Sequence, residues 1–260
     1  ADKPPLLCLP GLTRNARDFA EFAERYSPRF RVLALDFRGR GESAYDPLPA
    51  RYLPLTYAGD VIELLDQLGI TRAVFVGTSL GGLVAMTVGA IAPQRIAAAI
   101  LNDVGPELDQ HGLERIWSYV GKDVRFKSWD EAAQALARNH PRAFNRYTKA
   151  DWARMARRTA REEEGEIRFD YDPAIALPLD AAGAAPQVDL WPLFVALAQK
   201  PLLVVRGEKS DILSADSAEK MARAAPNVKF AAVPGVGHAP DLDEPEALAA
   251  IDAFLDSVAE

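Results

Sequence analysis

The stretch Arg72 to Leu83, Arg-Ala-Val-Phe-Val-Gly-Thr-Ser-Leu-Gly-Gly-Leu, restricts the possible folds of this chain more than any other. Ala73 to Val76 is a short apolar run with two valines and a phenylalanine, the pattern of a buried strand. Gly77-Thr78-Ser79-Leu80-Gly81 follows at once, and Leu83 to Ile91 carries helix-forming residues. Strand, glycine-flanked serine and helix together match the G-x-S-x-G nucleophile elbow. A serine at the tip of so sharp a turn sits in strained backbone, crowded by its neighbours two positions away. Gly77 and Gly81 have no Cβ to clash there. The helix that follows points free N–H groups and its positive end at a reacting oxygen. Ser79 is therefore the candidate nucleophile.

Around this stretch the chain alternates strand and helix. Strands are expected at Leu6 to Leu9, Val32 to Phe37 and Ile96 to Leu101, with helices at Ala16 to Tyr26 and Leu55 to Leu68. The pattern resumes with strands at Leu202 to Val205 and Val228 to Val233 and helices at Ser217 to Ala225 and Glu246 to Val258. Such alternation implies an α/β fold with a mostly parallel, doubly wound sheet. The glycine-rich turn Asp36 to Ser43 lacks the Gly-Lys-Ser/Thr ending of a phosphate loop. It reads as a tight structural loop in which Asp36 and Arg38 satisfy nearby backbone and each other.

Between residues 104 and 198 the rhythm breaks, and no convincing strand is found. Helical patterns run over Leu113 to Val120, Trp129 to Asn139 and Ala150 to Glu164, with a short one at Trp191 to Ala198. The expected organisation is a core of residues 1–103 and 199–260 with a helical cap of 104–198. Arg154, Arg157, Arg158 and Arg161 read as a charged solvated face rather than a binding patch. Pro173, Pro178, Pro186 and Pro192 punctuate a looser stretch. Trp117, Trp129, Trp152 and Trp191 all fall in this segment. They read either as a small core for a thin helical layer or as the lining of an apolar substrate pocket beneath a lid.

A serine needs a base within hydrogen-bond reach, and the base needs a group that orients it. Of the three histidines, His111 and His140 lie on expected helices of the insertion and read as surface or satisfied residues. His238 follows a strand and a glycine-rich turn, at the same carboxyl edge of the sheet as Ser79, where open parallel sheets bind ligands. It is the candidate base. Asp211, just after the strand at Leu202, is the favoured acid on chain order, and Asp103, after the strand that follows the elbow, is the alternative. Asp241, Asp243 and Glu244 read as caps of the last helix. The backbone N–H groups of Leu12 and Leu80 are the candidate oxyanion hole.

Net charge sets the excluded partners. At −7, the chain lacks the basic face that nucleic acid or an acidic membrane would need. With 49% hydrophobic and 26% charged residues over 260 positions, a packed core is expected and disorder is not. Cys8 is the only cysteine, so no internal disulfide forms, and its apolar surroundings suit an inert thiol. No segment resembles a signal peptide or a membrane span, so a cytoplasmic protein acting on a small molecule is expected. The chain begins at Ala1 rather than Met, which is compatible with a removed leader. No metal-ligand cluster appears, and neither a metal nor another cofactor is expected.

Assembled, these residues resemble the α/β-hydrolase-fold family over nearly the full chain. The matches are Pro10-Gly11 after the first strand, Asp36-x-Arg38-Gly39-x-Gly41-x-Ser43 after the second, the elbow at Ser79, Asp211, and Gly237-His238. The insertion resembles the cap of such enzymes. Two departures stand out: the family usually has His-Gly where this chain has Pro10-Gly11, and usually two further strands before the one at Leu6. The resemblance implies acyl transfer without a cofactor, in the first place hydrolysis of carboxylic esters of small or medium apolar substrates. Serine rather than aspartate at the elbow disfavours epoxide opening and dehalogenation. An enol-lactone or carbon–carbon hydrolase is the alternative within the fold, and its anionic substrates would need a cationic pocket residue. A non-catalytic binding protein and a cofactor-free peroxidase-like activity are the other readings that the resemblance admits.

Overall fold

The computed structural model describes residues 3–140, 147–178 and 188–258. Pro186 of the proline-rich stretch lies outside them. Six parallel strands form the main sheet: β1 (Pro5–Leu9), β2 (Arg31–Ala34), β3 (Ala73–Thr78), β4 (Ile96–Asn102), then β8 (Leu202–Gly207) and β9 (Lys229–Val233) after the insertion. Their order is β2-β1-β3-β4-β8-β9. The chain first winds outward from β1 to β2 and then returns to the other side of β1. The connections after β1 and β3 therefore diverge, which opens a crevice at the carboxyl ends of these two strands.

Strand periodicity divides the core between the two faces. Leu7, Leu9, Phe75, Leu101 and Val204 point to one side, and Leu6, Cys8, Val74, Val76, Ile100 and Val205 to the other, all buried. The first face packs on α2 (Pro54–Gln67) and α3 (Leu80–Ile91) through Val61, Leu65, Val84 and Val88. The second packs on α1 (Ala20–Tyr26) and on the closing helix Pro245–Val258, through Phe22, Tyr26, Ile251 and Phe254. Burial pushes the Cys8 thiol far above its ordinary pKa, consistent with an inert packing role.

The segment between β4 and β8 contains α4 (Gln110–Trp117), α5 (Trp129–Asn139), α6 (Lys149–Thr159) and α7 (Trp191–Leu197). It also contains three strands that the sequence reading missed: β5 (Arg125–Phe126), β6 (Ala160–Glu163) and β7 (Glu166–Phe169), an antiparallel sheet in the order β5-β7-β6. The expected helix at 150–164 ends at Thr159. Glu164 and Gly165 both take positive φ (53° and 82°) and close a two-residue hairpin. The charges on this hairpin hid it, because Arg-Glu-Glu and Glu-Ile-Arg have little strand propensity. They pair with one another instead, Arg161 and Arg168 both on Glu163 at 3.1 and 2.7 Å, while Ile167 turns inward.

The Asp36 to Ser43 loop is structural, but its internal pairing differs from expectation. Asp36 accepts from the amides of Ala16 (2.6 Å) and Glu42 (3.0 Å), and it lies where a Gly41 side chain would stand. Arg38 turns away from it to pair with Asp46 and Asp60. After the insertion, α8 (Ala215–Ala224) and α9 (Pro245–Val258) complete the fold. No described helix is long and apolar enough to cross a membrane.

Candidate active site

Ser79 stands between β3 and α3 with φ 52° and ψ −114°, backbone that a non-glycine residue adopts only when its surroundings hold it there. The surroundings are tight. A Cβ on Gly77 would lie 2.5 Å from the Gly81 carbonyl, and one on Gly81 would lie 2.0 Å from the Leu9 oxygen. The turn therefore closes only with glycine at both positions. The Ser79 amide donates to the Asn102 oxygen at 3.0 Å, extending the β3–β4 ladder one residue past the strand.

His238 reaches the serine from the loop after β9, with its Nε2 2.9 Å from Ser79 Oγ. Its Nδ1 is 2.8 Å from Asp103 Oδ2. An ionised carboxylate only accepts, so Nδ1 carries the proton and Nε2 keeps the lone pair that faces the serine hydroxyl. Asp103 is fully buried. Its second oxygen accepts from the Gly207 amide at 2.9 Å, and its own amide donates to Val205 at 2.8 Å. The Asn102 amide nitrogen donates to the Pro240 carbonyl (2.8 Å), tying the histidine loop to the strand ends.

The favoured acid, Asp211, is not the carboxylate on His238. Arg115 of α4 holds it with two hydrogen bonds, Nε to Oδ2 at 2.6 Å and Nη2 to Oδ1 at 2.8 Å. Burial pushes the Asp211 carboxyl up, but the bonds and charge of Arg115 outweigh this and hold it below the usual range. The contact is also a close backbone one, since a Cβ on Gly112 would stand 2.0 Å from the Asp211 carbonyl. Asp211 thus fastens the insertion to the core. Asp103, at φ 60° on the strand beside the elbow strand, turns to the histidine.

The Leu12 and Leu80 amides both flank the serine and find no acceptor among the described residues. Leu80 opens α3, where no preceding turn exists to accept its N–H. The peptide that follows the Leu12 N–H, Leu12–Thr13, is held at its carbonyl by Arg40, a residue not singled out in the sequence. Arg40 is fully buried, donates from Nε to the Leu12 carbonyl at 2.8 Å and from Nη1 to Tyr57 Oη at 2.8 Å, and lies against the rings of Tyr52 and Tyr57.

A cavity opens over Ser79 and His238. Leu12, Thr13, Arg14 and Asp18 line it on the β1 side, Ile116, Tyr119 and His140 on the insertion side, and Ala239 to Leu242 on the histidine side. None of the four tryptophans is among its lining residues. Trp129 lies under Arg157 with the guanidinium 3.8 Å from the ring centre, Trp152 packs on Tyr147, and Trp191 packs on Phe194 while donating to Glu107 at 3.2 Å. His140, read as a surface or satisfied residue, is satisfied by the Leu136 carbonyl at 2.9 Å and faces the cavity. It is enclosed by protein, and that burial, reinforced by Arg14, Arg115 and His238, outweighs its bond to the Leu136 carbonyl and lowers its pKa to about 4. Arg158, expected on a solvated face, is 11% exposed and lies 3.8 Å from Asp241.

Comparison with known proteins agrees with this architecture. The family described as "Alpha/beta hydrolase family" matches residues 6–251. A 3-hydroxybutyrate-oligomer hydrolase of Cupriavidus necator is 34% identical over 96% of this chain and 87% of its own length. A 2-(acetamidomethylene)succinate hydrolase of Mesorhizobium japonicum is 30% identical, covering 98% and 88%. Among solved structures, an alpha/beta hydrolase from Novosphingobium aromaticivorans superposes with a TM-score of 0.92 at 52% identity, covering 98% of this chain and 90% of that one.

Proposed function

The chain belongs to the alpha/beta hydrolase family, and on that premise we propose that it is a serine hydrolase that cleaves carboxylic esters through an acyl-enzyme. The observation that carries the reading is the continuous hydrogen-bonded line from Ser79 Oγ through the His238 ring to buried Asp103. In this mechanism His238 Nε2 takes the serine proton as Oγ attacks the ester carbonyl. The oxyanion rests on the Leu12 and Leu80 amides; Arg40 holds the peptide next to the Leu12 N–H, and the start of α3 holds Leu80. His238, now cationic and facing Asp103, returns the proton to the leaving alcohol. Water activated by the same nitrogen then releases the acid.

Asp103 replaces Asp211 as the acid in this reading. Within the small or medium apolar esters expected from the sequence, the reading moves toward partly polar ones, because Arg14, Asp18, Asp241 and His140 line the cavity. A long alkyl chain against those groups would strip them of water without offering a hydrogen bond. Short, partly polar esters fit better. A second reading, hydrolysis of an enol-lactone or a carbon–carbon bond in an anionic substrate, is favoured by Arg14, the cationic residue such a substrate needs. A binding protein without catalysis would have no use for a serine at φ 52° with an oriented base 2.9 Å away.

Hydrolysis of p-nitrophenyl acetate, butyrate and octanoate with Ser79→Ala as control tests the proposal. The expected result is serine-dependent turnover that is greatest for the short esters, together with covalent labelling of Ser79 by a fluorophosphonate. Undiminished turnover in Ser79→Ala, or no labelling of the parent protein, would overturn it.

A further inference from the structure

Arg14 lines the cavity, and a second guanidinium, that of Arg158, carries buried donors that no described residue satisfies. Arg14 lies two residues beyond Leu12. Its Nε and Nη2 donate to the two oxygens of Asp18, both at 2.7 Å, and its partly exposed side chain lines the cavity. Its stem is fixed beside the nucleophile: a Cβ on Gly11 would be 3.3 Å from Arg14 Cγ and 3.8 Å from Ser79 Cβ. The second group is Arg158 of α6, whose buried Nε and Nη2 make no hydrogen bond and whose nearest carboxylates are Asp241 at 3.8 Å and Glu21 at 4.0 Å.

A buried guanidinium donor without an acceptor is costly, and a ligand oxygen is one partner that relieves the cost. An anion in the cavity beside Ser79 would meet Arg14 directly. The other charged groups do not replace it. Asp18 is already committed to Arg14, and burial raises the Asp241 carboxyl well above its ordinary range, which disfavours its anionic form despite Arg14 nearby. Arg115 is engaged with Asp211 and the Asn139 carbonyl, and Arg40 lies behind Leu12 rather than in the cavity lining.

Building on the serine-hydrolase reading, we infer that Arg14 is a specificity residue that binds a substrate carboxylate a few bonds from the scissile ester, with Arg158 as a second cation behind it. Asp18 acts as the positioning residue that presents the outer edge of the Arg14 guanidinium to the cavity. The substrate class is thus short esters bearing a free carboxylate, on either the acyl or the alcohol side. An arginine presents a planar fork that matches a carboxylate, whereas a lysine would offer only a point charge.

The test compares charged esters with neutral ones of similar shape: mono-p-nitrophenyl adipate against p-nitrophenyl hexanoate for the acyl side, and 3-acetoxybutyrate against 2-pentyl acetate for the alcohol side. The parent is expected to favour the anionic member of at least one pair in kcat/KM, and that pair assigns the side. Arg14→Gln is expected to lower this anionic-to-neutral ratio about 10- to 100-fold, mainly through KM, with Arg14→Lys recovering part of it. A parent ratio at or below one for both pairs, or an unchanged ratio in Arg14→Gln, would overturn the inference. If no ester is turned over, the serine-hydrolase reading fails separately. Calorimetric binding of adipate and 3-hydroxybutyrate to the parent, Arg14→Lys and Arg14→Gln proteins then decides the carboxylate site. Equal binding to all three, or binding to none, would overturn it.

Discussion

Replacing Asp103 by Asn should cost about 10³- to 10⁴-fold in kcat, and the structure supplies the reason. The Asp103 carboxylate has two fixed obligations, the Gly207 amide at 2.9 Å and His238 Nδ1 at 2.8 Å. An asparagine offers one oxygen and one NH2 group. If the oxygen keeps Gly207, the NH2 faces Nδ1 and forces the proton onto Nε2, so the histidine no longer accepts from Ser79. If the oxygen keeps His238, the NH2 meets the Gly207 amide, donor against donor, in a site with no water access. Either arrangement also leaves the imidazolium of the transition state without its counter-charge. Two unit charges about 4 Å apart at an effective dielectric of about 20 interact by about 4 kcal/mol, or roughly a thousandfold in rate. The lost tautomer adds to this. The assay is kcat and kcat/KM on p-nitrophenyl butyrate for Asp103→Asn and Asp211→Asn, with thermal unfolding to confirm that both fold. Asp211→Asn should lose less than about tenfold, because its carboxylate faces Arg115. A larger loss for Asp211→Asn, or one below tenfold for Asp103→Asn, would refute the assignment of the acid.

Two further predictions concern residues around the catalytic line. Arg40→Met removes the bond that holds the Leu12 carbonyl, one peptide beyond the Leu12 N–H, so kcat should fall about 10- to 100-fold with little change in KM, and an unchanged kcat would dismiss the positioning role. His140 binds protons less readily in the folded protein (pKa about 4) than unfolded (about 6.5). Its contribution to stability is therefore fully present above about pH 6.5 and declines as pH falls toward 4, by at most about 3 kcal/mol. Arg14, Arg115 and His238 face it and act in the same direction. Unfolding midpoints measured from pH 7.5 to 4 should drop less steeply in His140→Gln than in the parent, and identical slopes would dismiss the effect.

What was legible in the amino-acid order is what depends on neighbours along the chain. The elbow could be read because Gly77 and Gly81 relieve a clash set by two-residue spacing, and the sheet because its apolar runs alternate with helical patterns. His238 was legible because only one histidine follows a strand of that sheet. Tertiary structure decided the rest. Asp103 and Asp211 both follow strands at one edge, and the choice between them falls to Arg115, which reaches Asp211 across 96 residues of sequence. The strands at 160–169 were hidden because cross-strand ion pairs, not strand propensity, hold their charged residues. His140, which faces the cavity, and Arg158, which is largely covered beside Asp241, take these places only through contacts between distant segments. The four tryptophans went the other way, away from the serine, because packing rather than size decides which apolar side chains meet a substrate. Local sterics could place Ser79; only packing between distant segments could set Asp103 on His238 and bring the surrounding charges to the cavity.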